Sequence, residues 1–137
     1  PLSRDGQPDT NGRIVLLSIG MSNATMEFSE FKRQADSDSQ KNPRVSIVDG
    51  AIGGEDAEKI KEPTANYWNQ VAQRLRTAAM TDKQVQAIWL KEAIAAERNP
   101  FPQDAKRLQN DLQAIVQILQ SKYHVLTKMT FFTAIYN

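Results

Sequence analysis

The feature that most constrains this chain is the run Ile14-Val-Leu-Leu-Ser-Ile19, which stops at Gly20 and is followed at once by Met21, Ser22 and Asn23. Six residues are too few for a buried helix, and the run is too uniformly apolar for a strand with one wet face. It therefore reads as a central strand of a parallel sheet, covered on both sides. A buried strand that ends in Gly-x-Ser delivers a hydroxyl and free backbone N–H groups to the sheet edge, which suits a nucleophile or an anion-binding turn.

The rest of the chain supplies the partners such a strand needs. Met26, Phe28, Phe31 and Ala35 form a helical stripe after Asn23, with Glu27 and Glu30 expected in its early turns and Asn23 or Thr25 as its cap. Residues 36–43 are polar and end in Asn-Pro, a loop signal. Arg44 to Asp49 is a second short strand running into Gly50-Ala-Ile-Gly-Gly-Glu55. A helical turn is expected over 55–61, where the acid-rich run reads as a solvated face. A helix follows over 65–76 with Tyr67 or Trp68, Val71, Ala72 and Leu75 inward. Thr81 to Gln84 fits a capping box. Gln86 to Leu90 reads as strand three, ending at Lys91, Glu92 and Ala93, and a loop centres on Asn99 to Pro102. Ala105, Leu108, Leu112, Ile115, Val116 and Leu119 then mark the clearest helix, extending to about Lys122. Val125 to Tyr136 is rich in β-branched and aromatic residues and is expected as strand four.

Strands separated by helices imply an α/β fold in three α/β/α layers around a parallel sheet, with right-handed crossovers. At 137 residues the scale is one domain. Residues 13–137 are expected to form it, and residues 1–12, with two prolines and two glycines, to be a flexible polar leader. The amino end does not read as a signal peptide, and its composition leans towards a processed chain that is secreted or periplasmic.

Composition narrows the function. Lysine and arginine number 17 against 16 acidic residues, with no long single-sign block, which argues against nucleic acid or an anionic membrane as partner. No apolar stretch approaches the roughly 20 residues of a membrane-spanning helix. The absence of cysteine removes thiolate nucleophiles and sulfur-ligated metals. Asp36, Asp38, Asp49, Glu55, Asp56 and Glu58 lack a calcium-loop spacing, so no metal and no cofactor are expected. Tyr67, Trp68, Phe131 and Phe132 read as core rather than as a stacking platform. Oligomeric state is not legible.

Ligands of an open parallel sheet bind beyond the carboxyl ends of its strands. Three loops leave those ends: Gly20 to Asn23, Asp49 to Asp56, and Lys91-Glu92. Ser22 is either a nucleophile or a helix cap. Gly50, Gly53 and Gly54 permit the close backbone approach of an oxyanion- or phosphate-binding loop, or serve an ordinary turn. They lack the lysine and spacing of nucleotide fingerprints.

The succession Gly20-Met-Ser22-Asn23, then Val-Asp-Gly50-Ala51-Ile-Gly53-Gly54, then Ala-Ile-Trp-Leu-Lys91-Glu92, resembles the SGNH (GDSL-type) hydrolases, a flavodoxin-like α/β family of esterases and acetylesterases. The likeness covers about residues 13–122. It implies Ser22 as nucleophile, an oxyanion hole from the amides of Ser22 and of Ala51 or a neighbouring glycine, and an O-acetylated carbohydrate or similar small ester as substrate. Met21 stands where the family usually has aspartate. Lys91 and Glu92 stand where the family's third block normally offers an asparagine: either Lys91 replaces that donor or both are charged loop residues. No Asp-x-x-His follows His124, the only histidine. His124 is expected at the amino edge of strand four, roughly 20 Å from Ser22 at about 3.3 Å per strand residue. The chain is thus expected to be an incomplete or truncated hydrolase lacking its base. The alternative is a non-catalytic flavodoxin-like or SGNH-derived module that binds a ligand or partner in the same crevice.

Overall fold

The computed structural model describes residues 1–96, 98–123 and 130–131. Three strands form the frame: β1 (Ile14–Gly20), β2 (Val45–Asp49) and β3 (Val85–Lys91), with a two-residue β4 (Thr130–Phe131) beyond them. Each pairing is parallel and the order is β2-β1-β3-β4, so the longest apolar run sits between two neighbours. That order, with helices between consecutive strands, is the flavodoxin-like α/β arrangement. The expected strand over 125–136 is described only at Thr130–Phe131; the remainder, with His124 and Phe132, lies outside the described residues.

Alternation along β1 divides its side chains between two helical layers. Val15, Leu17 and Ile19 share a core with Ile60 of α2 (Ala57–Ile60), Val71 and Leu75 of α3 (Asn66–Thr77), and Ile115 and Leu119 of α4 (Gln103–Lys122). Leu16 points the other way, into a groove with Phe28 and Phe31 of α1 (Ser22–Ser37) and with Ala87 and Trp89 of β3. Phe28 stacks on Trp89 at 5.6 Å between ring centroids. Both faces of the sheet are therefore covered, which explains why β1 carries no polar alternation. Tyr67 and Trp68 are core residues, and the Trp68 indole N–H donates to the carbonyls of Ile60 and Glu62.

Several local expectations are corrected. Helix α1 begins at Ser22 itself, with Met21 at the cap position and no side chain capping it, so neither Asn23 nor Thr25 is the cap and Glu27 and Glu30 fall beyond its first turn. Its inward residues are Ala24 and Phe28, whereas Met26 and Phe31 are exposed. In α4 Ala105 is exposed, while Asp104 and Asp111 are buried. Asp104 accepts from the Arg98 and Asn99 backbone amides at 2.6 and 2.9 Å and from Arg107 at 2.8 Å; Asp111 pairs with Lys61 at 3.0 Å. A buried acid is tolerated where donors surround it. The capping box at 81–84 closes a 3-10 turn (Asp82–Gln84) in front of β3.

Residues 1–12, expected as a leader outside the fold, are tied into it. The backbones of Leu2 and Arg13 exchange hydrogen bonds at 2.9 and 2.8 Å, Gln84 donates to the Leu2 carbonyl at 3.0 Å, and Arg4 donates to the Ala79 carbonyl at 2.7 Å. Turn-forming composition does not by itself predict detachment, because the turns here bend the segment back onto Arg13 and the Ala79–Gln84 turn at the amino end of the sheet.

Candidate functional site at the carboxyl edge of the sheet

Two strand ends meet at Ser18, a polar residue inside an otherwise apolar strand. It is fully buried beside Asp49, its register partner on β2. The Ser18 hydroxyl donates to Asp49 Oδ1 at 2.5 Å and accepts from the amides of Gly50 and Ala51 at 3.0 and 3.3 Å. The other Asp49 oxygen accepts from Thr25 of α1. Arg74 of α3 donates to the carbonyls of Asp49 and Ala51 at 2.9 and 2.8 Å. Ile52 N–H donates to the Gly20 carbonyl at 2.9 Å, and the Gly20 N–H donates to the buried Tyr67 hydroxyl at 3.2 Å. The loop after β2 is thus fastened to the end of β1 from three directions.

These bonds sort the candidate residues. Gly20 must be glycine: a Cβ there lies 2.3 Å from the Lys91 carbonyl oxygen and 2.5 Å from Ala24 Cβ. Gly50 is constrained similarly, 2.4 Å from the Ser18 carbonyl oxygen. The Gly50 and Ala51 amides are engaged within the loop, Ala51 also with Asp49 Oδ1 at 3.0 Å, so Ala51 is not available as an oxyanion donor. Among the described residues the Gly53 and Gly54 amides have no acceptor. Gly54 holds φ at +81°, a conformation that favours glycine, and a Cβ on Gly53 lies 3.8 Å from Ser22 Cβ. Gly53 is therefore the loop residue that faces the serine.

Ser22 occupies the first turn of α1, exposed, and its hydroxyl makes no hydrogen bond among the described residues. It does not cap the helix. The N–H groups of a helix's first turn have no intrahelical acceptor, and the helix dipole adds partial positive charge there. Asn23 beside it has a buried Oδ1 without a partner among the described residues.

The third loop departs most from expectation. Lys91 and Glu92 are both buried, not charged loop residues in solvent. Lys91 is the last residue of β3, pairs in register with Gly20, and turns its ammonium to Glu27 on α1. An ammonium satisfied there is not the expected replacement donor. Glu92 is only 4% exposed, its Oε2 accepts from the Ala93 N–H at 3.2 Å, and its Oε1 has no partner among the described residues. Burial, with Asp56 and Glu55 nearby, pushes its carboxyl up to about 9. It is therefore a neutral acid at pH 7. The signal in the sequence was only an acid directly after an apolar strand, which composition-based reading assigns to solvent.

Asp56 is also buried, capping α2 through the Lys59 N–H at 3.3 Å and holding the Ala95 N–H at 3.0 Å. The expectation of a solvated 55–62 face fails at Asp56, Ala57 and Ile60. An apolar groove of about 510 Å³ between α1 and β3, lined by Leu16, Phe28, Phe31 and Trp89, is a separate feature whose one charged lining residue, Glu27, is paired with Lys91. Among the described residues no cluster of three or more metal-ligating side chains is present.

Compared with protein-family models, curated proteins and solved structures, the chain matches none. Fold and site geometry therefore define its class: a flavodoxin-like α/β domain with a serine and a glycine loop at the carboxyl edge of its sheet.

Proposed function

We propose that the domain is a serine-dependent ester hydrolase of the SGNH type, with Ser22 as nucleophile and an O-acetylated carbohydrate or similar small ester as substrate. The observation that carries this reading is the unengaged Ser22 hydroxyl at the start of α1, facing Gly53 across a loop whose Gly53 and Gly54 amides have no acceptor among the described residues. In the reaction Ser22 Oγ bonds to the ester carbonyl carbon and the carbonyl π pair moves onto oxygen. That oxyanion is held by the Ser22 and Gly53 amides. Collapse breaks the carbon–alkoxide bond, and the serine proton passes through water to the departing alkoxide. Water then hydrolyses the acyl-serine.

The alternative is a non-catalytic module that binds a small ligand or partner in the same crevice. It is favoured by the fact that Ser18, Asp49 and Arg74 hold the loop in place whether or not a proton acceptor stands beside Ser22.

Fluorophosphonate labelling and acetyl-ester hydrolysis, each compared with Ser22→Ala, separate the two. The hydrolase reading expects both signals to fall at least about 100-fold in the variant, since removing a nucleophile costs orders of magnitude in rate. Equal signals from the two proteins overturn it in favour of the binding module.

A further inference from the structure

On the α1 side of the sheet, one row of β3 side chains changes character along its length. Successive side chains of a strand alternate between faces, so Ala87, Trp89 and Lys91 share one, in register with Leu16, Ser18 and Gly20 of β1. Phe28 stacks on Trp89 and Glu27 pairs with Lys91, which identifies that face as the one α1 covers. Beside α1 the row forms the floor of the apolar groove, whose volume of about 510 Å³ is that of a small-molecule site. The groove is apolar from Leu16 to Trp89 and reaches a charge only at Glu27, behind which stands Lys91. The Lys91 side chain is 11% exposed, and among the described residues its ammonium has Glu27 as its one anionic partner. The Glu27 side chain is 54% exposed. A desolvated cation needs an anion beside it. Here the anion comes from a solvent-facing arm whose ordering costs rotamer entropy, so a better placed anion can displace it.

We infer that this groove binds a medium-chain carboxylate, its tail lying among Leu16, Phe28, Phe31 and Trp89 and its carboxylate taking the place of Glu27 on the Lys91 ammonium. Charge complementarity selects the head. A ligand anion keeps the buried Lys91 paired and returns Glu27 to water, whereas a cationic head would have to compete with Lys91 for Glu27. The row selects the length: from Ala87 to Lys91 it spans four residues at roughly 3.3 Å each, about 13 Å, which an extended decanoate matches. Removal of the tail from water and its contact with three aromatic rings supply the affinity. No bond is made or broken, and the site stands or falls independently of the chemistry proposed at Ser22.

The test is isothermal titration of the full chain at about pH 7.5 with decanoate, decanol and decylammonium, each below its micellar and solubility limits. Wild type is compared with Lys91→Met, Glu27→Gln and Ala87→Phe, and circular dichroism establishes that each is folded. Decanoate is expected to saturate a single site, and decanol to bind at least about tenfold more weakly, the worth of one charge-assisted hydrogen bond. Lys91→Met is expected to abolish that preference. Glu27→Gln removes the anion that the ligand displaces and is expected to tighten decanoate binding several-fold. Ala87→Phe fills the groove and is expected to weaken decanoate and decanol alike by about tenfold or more. Decanoate that binds no better than decanol, or decylammonium that binds tightest, overturns the assigned head. Decanoate binding that Ala87→Phe leaves unchanged, or that does not saturate below about 1 mM, overturns the site. A dimer in sedimentation that Ala87→Phe dissociates and decanoate leaves intact gives the groove to a second copy of the chain, which also overturns it. Should Lys91→Met fail to fold, Glu27→Gln decides alone: tighter decanoate binding upholds the proposal, and unchanged or weaker binding overturns it.

Discussion

Ser18 shows how one side chain converts strand pairing into a shaped loop. It lies in an apolar environment, yet its hydroxyl is satisfied three times, by Asp49 Oδ1 and by the Gly50 and Ala51 amides. Ser18→Ala takes the acceptor from the Gly50 N–H and one of two from the Ala51 N–H, a loss of about 1–3 kcal/mol for each group left unpaired. Ala51 retains Asp49 Oδ1, so the net fall expected in urea denaturation is about 1–3 kcal/mol, and a change below a few tenths overturns this account. At this scale the sequence was least informative. Ser22, Gly20 and Gly53 were recognisable from their order along the chain, but the commitment of the Ala51 amide and the burial of Glu92 were not. Both depend on residues 30 or more positions away, Ser18 in one case and Glu55 and Asp56 in the other.

Among the elements, β1 and α1 are joined by a corner with no room for a side chain at Gly20. Gly20→Ala places a methyl 2.3 Å from the Lys91 carbonyl oxygen and 2.5 Å from Ala24, so either β3 or the start of α1 must move. Overpacking of this kind costs about 1–3 kcal/mol. The thermal midpoint is expected to drop by several degrees, and Ser22 labelling to fall with it because the helix start carries both the hydroxyl and its amide. An unchanged midpoint would show that the corner yields without strain. Helix α4 was predictable in extent because its three- and four-residue recurrence runs over about four turns, and the helix ends at Lys122. Helix α1 was legible as a helix but not in its facing. Its start is set by the Gly20–Lys91 contact and by Thr25 reaching Asp49, neither of which leaves a mark in local periodicity.

For the whole molecule, a buried neutral acid links stability to pH. Native Glu92 holds its proton to about 9, whereas the unfolded chain releases it near the ordinary value of 4.5. Between those limits the native state binds more protons, so stability contributed at this position falls as pH rises. Glu92→Gln carries no such ionisation. Its stability relative to wild type is expected to increase from pH 5 to pH 8 by the order of a few kcal/mol, read from denaturation midpoints at the two pH values. A difference that stays constant over that range means that Glu92 is already ionised in the native protein. By itself the sequence determined the α/β class, the alternation of strands with helices, and the placement of Ser22 and the glycine loop after two strands, because hydrophobic period and turn chemistry are local properties. Tertiary structure alone decided which loop amides remain without acceptors among the described residues, that residues 1–12 pack at the amino end of the sheet, and that Lys91 and Glu92, adjacent and both charged in type, take different partners. Lys91 is paired with Glu27 of α1 and Glu92 is buried near Asp56 and Glu55, since burial and partners depend on the other layers rather than on neighbours in sequence.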